Sequence, residues 1–246
     1  MPGVDTSARN EIEKLPRYCA SEILTVSVGE HKRKYRVHLD AFRNASAWFE
    51  RETLPKAKDS PQIVALSGKL DDIEAFEMFI QFTYIKNYIV PTKKVLDQLF
   101  VHAKVYVLAE RLGCPDLKAL ALKRATKYCL ASFETVSRYN GVLCSLPRAI
   151  STIYSCTSDP NSGKFPGQQG NDANGNPQGY VTRDGFRMLL AKISSCYLGE
   201  LKKQHEFLQV HTNCSDFSTD LLLFLDSGKK MEVDKGGNLV YPPISR

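Results

Sequence analysis

The chain has 246 residues, 43% of them apolar, which is enough to bury a core of ordinary size and excludes global disorder. No apolar run reaches the ~18–20 residues that a membrane-crossing helix needs. The formal net charge of +6 is a mild excess, so any cationic function has to be argued from local clusters.

Residues 1–20 read as a flexible arm in which Ala8 to Leu15 form a short helical turn stopped by Pro16. They lack the apolar core of a signal peptide, and a cytoplasmic or nuclear chain is expected. Ile23-Leu24-Thr25-Val26-Ser27-Val28 alternates with period two and is rich in β-branched residues, which predicts a strand. Gly29 permits a turn, and Lys34 to Val37 returns as the second strand of a hairpin. The turn carries the densest basic cluster, His31-Lys32-Arg33-Lys34-Tyr35-Arg36. Lys32, Arg33, Lys34 and Arg36 are therefore candidates for contact with nucleic acid or an acidic partner, against the plainer reading of a solvated turn.

Asp40 is placed to cap a helix that carries Phe42, Ala45, Trp48 and Phe49 inward at helical spacing. Trp48 and Phe49 read as core, with interface anchors as the alternative. Leu54 to Pro61 is a charged loop framed by prolines, and Gln62 to Leu66 is an apolar run of strand length. Asp71 and Asp72 stand where the positive end of a helix dipole favours carboxylates. Ile73, Phe76, Phe79, Ile80 and Thr83 then repeat at three and four residues, as an amphipathic helix requires. Thr92 is the expected N-cap of the next helix, Gly113 its end, and Pro115 the first residue of the helix after it. Strands followed by clustered helices define an α+β class.

A second part begins near Ser132. Phe133 to Tyr139 is predicted as a short helix ended by Asn140-Gly141, and Ile150 to Tyr154 as another helical piece. Residues 158–180 are almost without apolar side chains and read as a disordered Gly/Asn/Pro-rich insertion. Helical pattern resumes at Thr182 and continues through Leu201–Val210 and Phe217–Leu225; residues 227–246 read as a polar tail.

Reaction chemistry leaves little trace. There is no G-x-G-x-x-G, no G-x-x-x-x-G-K-[ST] and no G-x-S-x-G. None of His31, His38, His102, His205 and His211 is paired at H-E-x-x-H spacing, and His38 reads as a capping or core hydrogen-bonding group. The seven cysteines are scattered without C-x-x-C spacing, which argues against a disulfide framework and a zinc site. No catalytic residue, cofactor or metal is expected.

Several segments resemble the BTB/POZ family. Ser21 to Gly29 resembles its first strand, Tyr35-Arg36-Val37-His38-Leu39-Asp40 its second strand running into a V-H-K-D-type helix start, and Arg43 to Phe49 its S-x-x-F-F element. Phe76-x-x-Phe79-x-x-Phe82-x-Tyr84 is similar to the helix ending in its Y-T-G turn, with Ile85-Lys86 in place of Thr-Gly. Val105 to Arg111 followed by Leu117 resembles its Y-x-L-A-D-K-Y…L helix pair. The resemblance implies a BTB/POZ fold over 21–131, a small sheet flanked by a helical cluster, followed by a helical extension over 132–226. Ile150 to Tyr154, Phe186-Arg187 and Phe217 to Leu222 resemble the helical tail of filamentous-fungal members, which implies a fungal origin.

The resemblance further implies a non-enzymatic interaction module that oligomerises with itself or with another protein. A cullin-RING ubiquitin-ligase substrate adaptor is one alternative, and a transcription-associated regulator with weak nucleic-acid contact is the other. The nearest match to the family's cullin-binding hydrophobic-x-acidic motif is Ala57-Lys58-Asp59, where Ala57 stands for a larger apolar anchor. The expected partner is thus a protein, either a second copy or a cullin scaffold. Nucleic acid ranks below because no DNA-binding module accompanies the domain, and no membrane partner is expected.

Overall fold

The computed structural model describes residues 15–53, 63–68, 71–161, 169–171, 177–180, 183–225, 231–237 and 239–240. The protein is α+β, mostly helical, with a small three-stranded sheet. Backbone contacts divide it into two units, Met1–Lys93 with Lys104–Ala121, and Lys94–Ala103 with Leu122–Arg246. The sequence places a boundary at 131/132; the division runs instead through two long helices, α4 (Gln98–Arg111) and α5 (Pro115–Ala131).

In the first unit β1 (Ile23–Val28) pairs antiparallel with β2 (Arg33–His38) and parallel with β3 (Ile63–Leu66), giving the order β2-β1-β3. Antiparallel neighbours can share a tight turn, and here Gly29 (φ 73°) and Lys32 (φ 50°) supply its left-handed backbone. A parallel neighbour needs a crossover, which contains α1 (Leu39–Ala45) and α2 (Ala47–Glu52). Period-two alternation buries Leu24, Val26 and Val28 on one face of the sheet.

That buried face meets an aromatic core. Phe42 packs edge-to-face on Phe49 and Phe79 at 5.0 and 5.2 Å, and Tyr35 lies 5.3 Å from Phe76 of α3 (Ile73–Ile85). Asp72 caps α3 by accepting the Ala75 N–H at 2.9 Å, as its position predicts. Asp71 accepts the Gly68 N–H at 2.6 Å and pairs with Arg111. Gly113 ends α4 with φ 60°, and a Cβ there would lie 3.2 Å from that of Ala47. Ser46 ties this corner together, accepting the Phe49 N–H at 3.2 Å and donating to the Leu112 carbonyl.

Four local expectations are corrected. Asp40 does not cap α1: β2 runs straight into the helix, so the extended residue before it is His38, and Asp40 lies in the first turn. Pro16 does not stop a helix at Leu15, because residues 15–19 are helical and its carbonyl accepts the Ala20 N–H. Thr92 opens a 3₁₀ segment, Thr92–Asp97, broken at Lys94, and the α-helix starts only at Gln98. Trp48 is only partly buried, whereas Phe49 is fully inside.

In the second unit one long helix, α6 (Val136–Cys156), replaces the two predicted pieces and runs through both Asn140-Gly141 and Pro147. Gly141 is a packing glycine here: a Cβ would fall 2.2 Å from the Tyr128 hydroxyl. The unit continues with α7 (Gly185–Cys196), α8 (Leu198–Leu201), α9 (His205–Asn213) and α10 (Ser215–Leu222). Asp184 caps α7 by accepting the Phe186 and Arg187 N–H groups. The predicted Leu201–Val210 helix is broken between Leu201 and His205.

Two further expectations change. The stretch 158–180, predicted to be disordered, contains among its described residues a hairpin of β4 (Gln169–Asn171) and β5 (Pro177–Tyr180) and a firmly bonded Asp159. Backbone pairing needs no apolar side chains, which is why composition misses it. The predicted polar tail includes buried Met231, and Leu239 packs against Met188, Ala191 and Phe224.

Candidate interaction surface

The pleat of the sheet sorts its side chains onto two faces. Opposed residues share a face, so the cross-strand register fixes the composition of each. On the face away from the core, Lys34 stands level with Ser27 and Ala65, and Arg36 with Thr25 and Ile63. His38 stands level with Ile23 beyond them. The face therefore grades from cations on β2, through hydroxyls on β1, to alkyl groups on β3.

It is also open. Ile23 is 44% exposed and Ile63 58%, large values for apolar side chains in strands, while Lys34, Arg36 and Ala65 are exposed beside them. Among the described residues neither Lys34 nor Arg36 has an ion-pair partner. His38 is anchored, its ring Nδ1 lying 3.0 Å from the Tyr84 hydroxyl, which also accepts the His38 backbone N–H at 3.1 Å.

The four basic candidates are not brought together. Arg33 lies on the opposite face, 3.0 Å from Glu77 of α3 and stacked over the Tyr35 ring at 5.4 Å. Tyr35 donates to the same Glu77 carboxylate at 2.9 Å. Burial and then Glu77 push its phenol up to about 12. Lys32 lies in the turn, outside both strands. Only Lys34 and Arg36 share a surface. Ala57, Lys58 and Asp59 lie outside the described residues. Ile23 and Ile63 are the surface residues that sequence reading missed; the alternation in β1 signals the first, but β3 is continuously apolar and shows no outer face.

A second cluster of polar groups is engaged internally. In the second unit Arg183 pairs with Asp159 and Asp220, Tyr154 donates to Asp220 at 2.8 Å, and Arg187 donates to the Thr157 hydroxyl at 3.1 Å. A shallow pocket of about 400 Å³ is lined by Phe133, Val136, Tyr139 and Tyr197, with Phe133 stacked on Tyr197 at 5.3 Å. No group of His, Cys, Asp and Glu that could hold a metal occurs among the described residues. None of the described helices is long and apolar enough to cross a membrane.

Neither a protein-family model nor a curated protein sequence matches the chain.

Proposed function

We infer that this chain is a BTB/POZ-type protein-interaction module, which works by holding another protein rather than by catalysis. The observation that carries the reading is the two-faced sheet of the first unit: one face sealed by an aromatic core, the other presenting Ile23 and Ile63 beside Lys34 and Arg36, which have no ion-pair partner among the described residues. Exposed alkyl groups rimmed by charge are the composition of a protein-binding surface. The small sheet followed by helices is the arrangement that the family resemblance implies, and it supports the same reading. The separation of Arg33 from Lys34 and Arg36 favours a protein partner over nucleic acid, since a phosphate backbone is tracked by a continuous cationic stripe.

The open face carries two cations and no carboxylate among its described residues. Pairing it with its own copy would leave both cations without a carboxylate opposite them. A different protein is therefore favoured over a homodimer at this face.

The test is affinity purification of the full chain from native extract beside Ile63→Glu, with light scattering on both. Wild type retaining a defined protein that Ile63→Glu loses, at unchanged melting temperature, is the expected result. A monomer that retains no protein overturns the module.

A further inference from the structure

We propose that the open sheet face docks an acidic amphipathic helix of a partner protein, with carboxylates over Lys34 and Arg36 and apolar side chains over Ile63 and Ile23. This deepens, and rests on, the reading of the chain as an interaction module.

Dimensions select a helix. Neighbouring strands lie about 4.8 Å apart, so the β2 cations and the β3 alkyl groups stand roughly 10 Å apart across the face. A helix with its side chains is about 10–12 Å wide and covers all three strands at once. Lys34 and Arg36 are two residues apart on one strand, a separation of about 7 Å. Carboxylates four residues apart on a helix are separated along its axis by about 6 Å, a close match.

Charge selects the acidic partner. Within the β2 run Arg33, Lys34 and Arg36, the cation facing α3 is neutralised by Glu77 at 3.0 Å, while the two on the open face have no ion-pair partner among the described residues. The cations occupy the β2 edge and exposed Ile63 and Ala65 the β3 edge, with Ile23 at the end of the central strand, so the matching ligand is anionic on the side over β2 and apolar on the side over β3. The central Thr25 and Ser27 are small enough to let a helix lie close.

The probe is a synthetic fluorescein-labelled helical peptide with glutamates at i, i+4 and leucines on the adjoining stripe, titrated into the full-length chain by fluorescence anisotropy. Controls are a scrambled peptide of identical composition and a labelled single-stranded oligonucleotide. Saturable binding of the helical peptide is expected, weaker by about tenfold or more in K34E/R36E, in line with the loss of two charge contacts. Weakening by Ile63→Ser and no change in Arg33→Gln are also expected.

K34Q/R36Q replaces the charge reversal if K34E/R36E unfolds by circular dichroism. Absence of saturable binding, equal binding of the scrambled peptide, or indifference to both Lys34/Arg36 variants overturns the proposal. So does preferential binding of the oligonucleotide, or a wild-type dimer that K34E/R36E abolishes. A natural partner retained equally by wild type and K34E/R36E removes the docking site but leaves the module standing; no retained partner at all removes the module itself.

Discussion

Arg183 donates its Nε–H to Asp159 at 2.8 Å, and both side chains are shielded from water. The two residues flank the segment that contains β4 and β5, so this ion pair closes its ends. The same guanidinium also reaches Asp220, which accepts from Tyr154 at 2.8 Å. One buried cation thus serves two buried carboxylates. Arg183→Met leaves both carboxylates without their cation, and breaking a buried pair in this way costs about 3–5 kcal/mol. Urea denaturation is expected to show a loss in that range; a loss below ~1 kcal/mol, the range of surface pairs, contradicts the buried network.

The same pair sets an acid limit on stability. Burial pushes the Asp159 carboxyl up, but hydrogen bonds from Arg183 and from the Asp184 and Asn161 N–H groups, with the Arg183 charge, bring it below its ordinary value. A folded-state pKa below the unfolded value of about 3.9 means that the folded state binds fewer protons there. The stabilisation is complete above about pH 5 and is lost as pH falls through ~4 toward the folded value. Asp159→Asn removes this term. Its stability is expected to fall less steeply than that of wild type between about pH 5 and pH 3, measured by denaturant midpoints at each pH.

Gly141 gives a test of packing against propensity. Ala is the better helix former by about 1 kcal/mol, so an exposed glycine in α6 would gain from the change. Here the new methyl would meet the Tyr128 hydroxyl at 2.2 Å and the Leu96 backbone at 3.3 Å. Overpacking costs about 1–3 kcal/mol and outweighs the propensity gain. Gly141→Ala is expected to lower the melting temperature, and to cost clearly less in a Tyr128→Phe background, where the nearest atom is gone. Equal costs in the two backgrounds would show that Tyr128 is not the obstacle.

That glycine also marks where sequence reading stops. β1, the Gly113 terminus and the Pro115 start follow from local chemistry, and the structure places each at its predicted residue; of the two carboxylates expected at the start of α3, Asp71 and Asp72, the cap is Asp72. Gly141 and Pro147 carry local breaker signals that lose to tertiary packing, because both are buried inside α6. Met231 and Leu239 lie among polar neighbours, and only the fold brings Leu239 to Phe224. The candidate surface was half legible. Lys34 and Arg36 are named by the basic cluster, and strand alternation separates them from Arg33. Nothing in the apolar run Ile63-Val64-Ala65-Leu66 reveals that Ile63 stays exposed, since that depends on which face the helices cover.

Alkali sets the opposite limit. Burial pushes the phenols of Tyr35 and Tyr128 up to about 12, and those of Tyr84, Tyr154 and Tyr197 upward as well. A folded pKa above the unfolded value of about 10 means that the folded state retains protons the unfolded chain has released. The stability held by these neutral phenols is complete below about pH 10 and is lost as pH rises toward ~12. Tyr35 allows a clean assignment, because after burial its largest cause is the Glu77 carboxylate 2.9 Å away. Glu77→Gln replaces that anion with a neutral acceptor. An ultraviolet difference titration is expected to show one phenol ionising at lower pH in Glu77→Gln, with Tyr35→Phe removing that same step. Identical titrations of Glu77→Gln and wild type would separate Tyr35 from Glu77, the carboxylate that also pairs with Arg33 on the core face.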